Sequence, residues 1–349
     1  MMFLLLLSVC ITLAAAGRSP QADSIEKLIK NNFFGRVSDN IAQDAILDVP
    51  DLIRKYNYPV EEHSVITRDG YIIGLHRIPH GRDSNTTPGN KPAVLVMHGL
   101  LGSSADWVLM GPETALAYIL AEEGFDVWLG NARGNFYSRR HLLLNPDEDN
   151  NSFWQFSLDE IGNIDLPAVV DYILRRTGRS GLHYIGMSQG TTVFFIMGSL
   201  RPEYSEKILS MHALAPVAYT TQGRNALVDA LAPVAANIVF AHFSQNVASK
   251  RFRRYDYGLV LNVLKYGSAI PPNYNLSNIK NPVFLHFSEG DTRVAAVDVD
   301  RLYDELGGPK EKILVSQKTF SHVDFMWGTN ARYYVFDRVI RDIRKIENA

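Results

Sequence analysis

The chain reads as short apolar runs alternating with longer stretches whose apolar positions recur at helical spacing. Residues 93–97 are apolar throughout and of strand length, the pattern of a strand buried on both faces. Residues 125–129 read as the next buried strand, and 182–185, 211–214, 283–287 and 312–315 supply four more. Between them, 114–123, 191–200, 297–306 and 330–347 carry helical patterns. Gly124 and Gly178 stand as helix stops, the second closing a helical stretch over 156–177 that is expected to break near Pro167. Earlier, 63–67 and 71–78 flank Asp69-Gly70, a turn pair that predicts a hairpin. A polar, helix-compatible stretch precedes the hairpin to about Tyr58, and a turn-rich loop over 81–92 follows it. Strands alternating with helices require crossover connections, so the expected core is α/β with a mostly parallel sheet and helices on both faces.

One span breaks the rhythm. From about Tyr219 to Lys280 no run has strand character, but there is an apolar run over 226–243 and a basic-aromatic cluster over 251–257. That span reads as a cap inserted between two strands of the core. The expected division is a leader over 1–17, a first part of the core over 18–218, the cap over 219–280 and the rest of the core over 281–349. No internal repeat or low-complexity tract interrupts it.

Composition adds bounds rather than a function. The 349 residues, 46% of them apolar, suffice for one large domain with an inserted subdomain. A formal net charge of −2 leaves no basic footprint for nucleic acid. Residues 1–17 have an apolar centre and end in small residues suited to cleavage near Ala16 or Gly17, as in a secretory leader, although no Lys or Arg precedes the apolar centre. The alternative, a single membrane anchor, meets a stretch short for a bilayer span, and no integral span is expected after leader removal. The single cysteine, Cys10, falls inside the leader, so the mature chain is expected to carry no disulfide. Asn85, Asn150 and Asn275 begin glycosylation sequons, consistent with that route.

The candidate chemistry centres on Gly186-Met187-Ser188-Gln189-Gly190, placed between a strand-like and a helix-like run. A tight strand-to-helix turn lifts a serine hydroxyl out of the sheet, and flanking glycines let neighbouring backbone approach. The five-residue pattern alone turns up by chance in roughly one chain in ten of this length, so the strand and helix around it carry the inference. Ser188 is the candidate nucleophile. A serine needs a base, a group to orient that base, and donors for the oxyanion. His322, in the loop after the last predicted strand, is the candidate base; taken alone it reads more readily as a surface loop histidine, and the chain order reverses that preference. Asp291, after the 283–287 strand and preceded by Gly290, is the candidate orienting carboxylate, with Asp298, Asp300 and Asp324 as rivals. The order Ser188, Asp291, His322 matches the template of the α/β-hydrolases. Gln189, first in the helix after the nucleophile, and Leu100, in the His98-Gly99-Leu100-Leu101 loop after 93–97, are the candidate oxyanion donors through their backbone N–H groups. His98 itself is read as structural. There is no metal-site spacing of His or Cys, no phosphate-cradling loop and no dinucleotide fingerprint; Gly130-Asn131-Ala132-Arg133-Gly134-Asn135 reads as a structural turn.

Several of these motifs together resemble the acid lipases, the group of gastric and lysosomal lipases and their secreted insect relatives. They are His98-Gly99-Leu100-Leu101, Gly130–Asn135, Phe153-Trp154-Gln155-Phe156-Ser157, Asp165-Leu166-Pro167-Ala168, Gly186–Gly190, Tyr255-Asp256-Tyr257-Gly258, Pro271-Pro272-Asn273-Tyr274-Asn275-Leu276 and Ser321-His322-Val323-Asp324-Phe325. The resemblance covers nearly the whole chain after the leader. It implies an α/β-hydrolase fold, Ser188, Asp291 and His322 in the triad positions, Leu100 and Gln189 at the oxyanion, and no cofactor. It also implies hydrolysis of neutral lipid esters at a lipid–water interface, by a secreted or lysosomal protein. The cap is shorter than that resemblance implies, with the loss near residues 236–240 and without the cysteines of many relatives. Two alternatives stay open on the sequence: a lipid-binding or storage protein on a lipase fold, and an esterase for soluble acyl substrates. Work in acid would also require His322 to be neutral when its free imidazole has a pKa of about 6.5.

Overall fold

The computed structural model describes residues 43–44, 46–82, 91–147, 152–221 and 238–349. The leader, Asn85, Asn150 and residues 226–237 of the apolar run lie outside the described residues.

Eight strands form one sheet: β1 (Glu61–Ile66), β2 (Ile72–Ile78), β3 (Ala93–Met97), β4 (Asp126–Gly130), β5 (Leu182–Met187), β6 (Ile208–Leu214), β7 (Val283–Phe287) and β8 (Lys310–Leu314). Their order across the sheet is β1-β2-β4-β3-β5-β6-β7-β8. β1 with β2 and β2 with β4 are antiparallel; every other neighbouring pair is parallel. β3, β4 and β5 are buried at every position, as their apolar runs demand of central strands covered on both faces. From β3 the chain steps to β4 on one side and returns to β5 on the other. The carboxyl ends of β3 and β5 therefore flank the point where strand order reverses, where open α/β sheets place their ligands.

The crossovers are helical. α1 (Val49–Lys55) precedes the sheet, α2 (Leu116–Glu122) joins β3 to β4, α3 (Leu166–Thr177) leads into β5, and α4 (Gln189–Leu200) joins β5 to β6. Between β6 and β7 the described residues add no strand to the sheet but hold α5 (Ile238–Ser249) and α6 (Leu259–Tyr266). α7 (Ala296–Glu305) joins β7 to β8, and α8 (Asp337–Glu347) closes the chain. No helix among the described residues is long and apolar enough to cross a membrane.

One expectation is corrected. The helix does not break near Pro167: the turn Leu158–Glu160 runs through a π turn, Ile161–Asp165, straight into α3. Pro167 falls in the first turn of α3, where its missing N–H costs little, and the wider π turn absorbs the altered bonding. Asp165 is thereby placed to accept the buried guanidinium of Arg133, Nε to Oδ1 at 2.9 Å. The same guanidinium reaches Asp69 in the β1–β2 turn at 2.7 Å and lies 4.0 Å from the centre of the Tyr71 ring. The segment 130–135 is thus tied to both the hairpin and the helical turn.

Candidate active site

Ser188 is the single residue between β5 and α4, and it holds φ +51°, ψ −113°, a left-handed conformation that costs a non-glycine residue energy. The strain sits on the serine, not on its flanking glycines. Gly190 serves a different purpose: a Cβ there would lie 2.4 Å from Met97 O and 2.9 Å from His98 O. The first turn of α4 thus rests directly on the exit of β3. Ser188 N–H donates to Leu214 O at 3.0 Å, and Thr191 Oγ1 accepts Val217 N–H at 2.8 Å, which ties the turn to the end of β6.

The second and third candidates come from the loops after β7 and β8. Asp291 is buried, and its Oδ1 accepts the N–H groups of Arg293 at 2.8 Å and Val294 at 3.2 Å. That leaves Oδ2 for His322 Nδ1, at 2.7 Å. A Cβ on Gly290 would come within 2.6 Å of Lys318 O and 2.8 Å of Phe320 O, so only glycine lets the aspartate loop lie on the histidine loop. Ser288 Oγ fastens the two by donating to Phe320 O at 2.7 Å. On its other side, His322 Nε2 is 2.9 Å from Ser188 Oγ. A carboxylate only accepts, so Nδ1 carries the proton and Nε2 turns its lone pair to the serine hydroxyl.

The loop after β3 completes the site. A Cβ on Gly99 would be 3.1 Å from Met187 Sδ and 3.5 Å from Ser188 Cβ, so this loop abuts the serine turn and carries Leu100 beside it. Among the described residues, neither Leu100 N–H nor Gln189 N–H has a hydrogen-bond partner. His98 is buried beneath the loop. Its Nε2 accepts Ala132 N–H at 3.0 Å, so Nδ1 is the protonated nitrogen and donates to Gly99 O at 2.7 Å. Burial pushes the His98 pKa down to about 4, which keeps that neutral tautomer. Asn131 Oδ1 accepts Ser104 N–H at 2.9 Å, and Asn135 Nδ2 donates to Asn131 Oδ1 at 2.9 Å. The turn after β4 therefore braces the loop at both ends, a role beyond the structural turn expected of it. The repeated Asn flanking Arg133 was the available signal.

The rival carboxylates are engaged elsewhere. Asp298 accepts Thr221 N–H at 2.9 Å, Asp324 accepts Ser321 N–H at 2.6 Å, and Asp300 pairs with Lys312. Asn275 caps a short turn, its Oδ1 accepting Ser277 N–H at 3.3 Å, and is exposed. Among the described residues no group of three or more His, Cys, Asp or Glu side chains is arranged to hold a metal ion.

Known proteins place this arrangement. Residues 92–255 match the α/β-hydrolase fold family, and residues 49–111 match a partial α/β-hydrolase lipase region. The chain is 38% identical to Lipase 1 of Drosophila melanogaster over 370 aligned positions, covering 88% of this chain and 82% of that protein. Against gastric triacylglycerol lipase of Bos taurus it is 33% identical over 379 positions, covering 88% and 93%. Both alignments are longer than the 349-residue chain, so these relatives carry sequence with no counterpart here. In fold, an esterase of Pyrococcus furiosus superposes with a TM-score of 0.55 at 17% identity, covering 86% of this chain and 94% of that one. The chain belongs to the lipases of α/β-hydrolase fold, in the acid lipase family with the gastric triacylglycerol lipases, and is a carboxylic ester hydrolase.

Proposed function

We propose that the chain hydrolyses neutral lipid esters, triacylglycerols or sterol esters, through an acyl-enzyme on Ser188. The observation that carries this is the relay from Asp291 Oδ2 through both ring nitrogens of His322 to Ser188 Oγ, at 2.7 and 2.9 Å. As Ser188 Oγ bonds to the ester carbonyl carbon, its proton passes to His322 Nε2. The carbonyl oxygen takes the negative charge, and the free N–H groups of Leu100 and Gln189 stabilise it, the second aided by its place at the start of α4. Collapse breaks the bond to the alkoxide, which leaves with the proton from Nε2. A water molecule then repeats the sequence on the acyl-enzyme, releasing the fatty acid and restoring the serine. Asp291 stays ionised throughout, holding the tautomer and balancing the imidazolium.

The same reading assigns residues 219–280 to a shortened cap, supported by the lack of sheet strands among its described residues, 219–221 and 238–280, and by alignments longer than the chain. It also assigns the protein to the secretory route, outside the cell or to lysosomes, on the leader and sequons. The test is a panel of emulsified triacylglycerol, cholesteryl ester and a dissolved short-chain ester. Ser188→Ala should lower every rate by more than about 10⁴-fold with an unchanged circular dichroism spectrum. Hydrolysis retained in that variant would refute the assignment. Preference for the dissolved ester over the emulsion would refute the lipid substrate while leaving the serine chemistry standing.

A further inference from the structure

Helix α6 is built inside out. Its one buried residue is the polar Asn262, at 0% exposure, while Leu259, Val260, Leu261, Val263 and Leu264 are 68, 68, 47, 48 and 76% exposed. Ile270, in the turn that follows, is 66% exposed. The inner side is fully occupied by polar contacts. Asn262 Oδ1 accepts Tyr257 N–H at 2.9 Å, and its Nδ2 donates to Asp256 Oδ1 at 2.8 Å and Ala269 O at 3.0 Å. Tyr266 O–H donates to Tyr255 O at 2.9 Å, and the Arg254 guanidinium lies 4.7 Å from its ring centre. A surface helix of a folded domain turns its apolar stripe inward and its polar side chains to water. Here an asparagine anchors the helix and the aliphatic side chains are left in solvent, the mark of a contact surface.

Size and charge identify what that surface meets. Six aliphatic residues on one short helix and its turn fall well below the roughly 20–30 residues a side of a stable protein interface. They suit a helix lying in the plane of a lipid surface, where a few aliphatic side chains enter the acyl boundary. Between Asp256 and Glu289 the chain has no Asp or Glu, and the one charged residue of α6 is Lys265, its ammonium 4.3 Å from the Tyr257 ring centre. Ester hydrolysis leaves fatty carboxylates behind, so a lipid surface under attack turns anionic, and a carboxylate-free face bearing a lysine is not repelled by it. We propose that α6 and Ile270 dock the protein on the surface of its aggregated lipid substrate. This rests on the lipid-ester reading above and adds where the protein touches that substrate in bulk.

The test uses the full-length protein, a double variant Leu259→Asn/Leu264→Asn, and Ser188→Ala. Both leucines face solvent, so their replacement leaves the Asn262 anchor untouched. The measurements are flotation with phosphatidylcholine vesicles carrying oleate, and rates on emulsified triolein and dissolved p-nitrophenyl butyrate. The double variant should lose more than about tenfold in vesicle partition, since each buried leucine contributes substantially to transfer. Its emulsion rate should fall in proportion, with the dissolved-ester rate within twofold. Ser188→Ala should float like the parent, so a failure of the serine assignment would leave this arm intact. Equal flotation of double variant and parent overturns the proposal. So does a lipid-free parent dimer that the double variant converts to monomer in sedimentation velocity, which would assign the face to a second copy.

Discussion

Lowering the pH from 7.5 to 5 should remove about 6 kcal/mol of folding stability, because His76, His98 and His286 are buried as neutral rings. Burial pushes their pKa values down to about 4, about 4 and about 3. His76 Nδ1 meets only Ser104 Oγ, at 2.8 Å, and His286 feels Arg338 and lies beside His212. Among the described residues, no carboxylate bonds to the ring of His76 or His286 to welcome its charge. In the unfolded chain each ring returns to a pKa of about 6.5. Below that value the unfolded state binds protons that the folded state refuses. Stability is therefore complete above pH 6.5 and falls as the pH drops, by about 1.4 kcal/mol per unit for each ring. The loss ends near pH 4 for His76 and His98 and near pH 3 for His286. At pH 5 it amounts to about 2 kcal/mol per ring, against a total of roughly 5–15 kcal/mol for a folded domain. His212, His183 and His242 are lowered too, chiefly by burial, and push in the same direction. Urea titrations at pH 7.5, 6 and 5, read by the fluorescence of the buried Trp107 and Trp128, measure the effect. His286→Leu should flatten the dependence by one proton's worth. Equal midpoints at pH 7.5 and 5 would refute the reasoning, and an unchanged slope in His286→Leu would remove that ring from it.

Two further substitutions probe the site itself. Asp291→Asn keeps an acceptor for Arg293 and Val294 but turns an amide N–H toward His322 Nδ1, forcing the proton onto Nε2; kcat should fall about 10⁴-fold with little change in Tm, and a loss under tenfold would contradict the relay. Gly190→Ala drives a methyl group into Met97 O and His98 O, so α4 must shift away from β3; about 1–3 kcal/mol of stability should be lost together with ester hydrolysis, checked by urea midpoint and rate, whereas parental values for both would show that the contact yields freely.

The strands were the most legible part of the chain. Residues 93–97 read as a continuous apolar run and occur as β3 at those bounds, because a strand buried on both faces leaves no polar position to blur its ends; 283–287 likewise occurs as β7 at its expected bounds, with His286 inside it. β5 extends two residues beyond its expected end, through Gly186 and Met187, since a glycine inside a strand looks like a terminator until its close approach to Gly190 is known. The π turn before α3 had no signature, because its widened bonding depends on Pro167 and on the tertiary pull of Arg133 on Asp165. Residue type, flanking glycine and chain order point to Ser188, Asp291 and His322, which the fold brings into hydrogen-bonding sequence. What joins them was not visible: the bond from Ser288 to Phe320 and the tautomer of His98 each depend on segments far apart in sequence. The exposed face of α6 has no signature in sequence, because an aliphatic run with one asparagine fits an ordinary buried helix equally well and only burial reveals which face is inward.

Three backbone contacts made possible by glycine decide where Ser188, His322 and Asp291 meet. Gly99 brings the β3 loop onto Met187, Gly190 brings α4 onto the end of β3, and Gly290 brings the β7 loop onto the β8 loop. Ser188 and His322 are 134 positions apart, yet their hydrogen bond is fixed by these contacts and by the parallel register of β5 through β8. The segment carrying α5 and α6 enters none of the three. It is fastened instead through Asp159, buried in the turn before α3, which accepts Tyr274 O–H, Tyr255 N–H at 3.3 Å and Arg254 Nε at 3.4 Å. Two independent sets of contacts thus hold the Ser188–His322–Asp291 relay and helix α6. Length and polarity in the part of that segment carrying α5 and α6 can change without touching these three contacts, provided the Asp159 clasp is kept. Under the proposed function, ester cleavage belongs to the sheet and its loops, and the choice of lipid surface to the segment between β6 and β7.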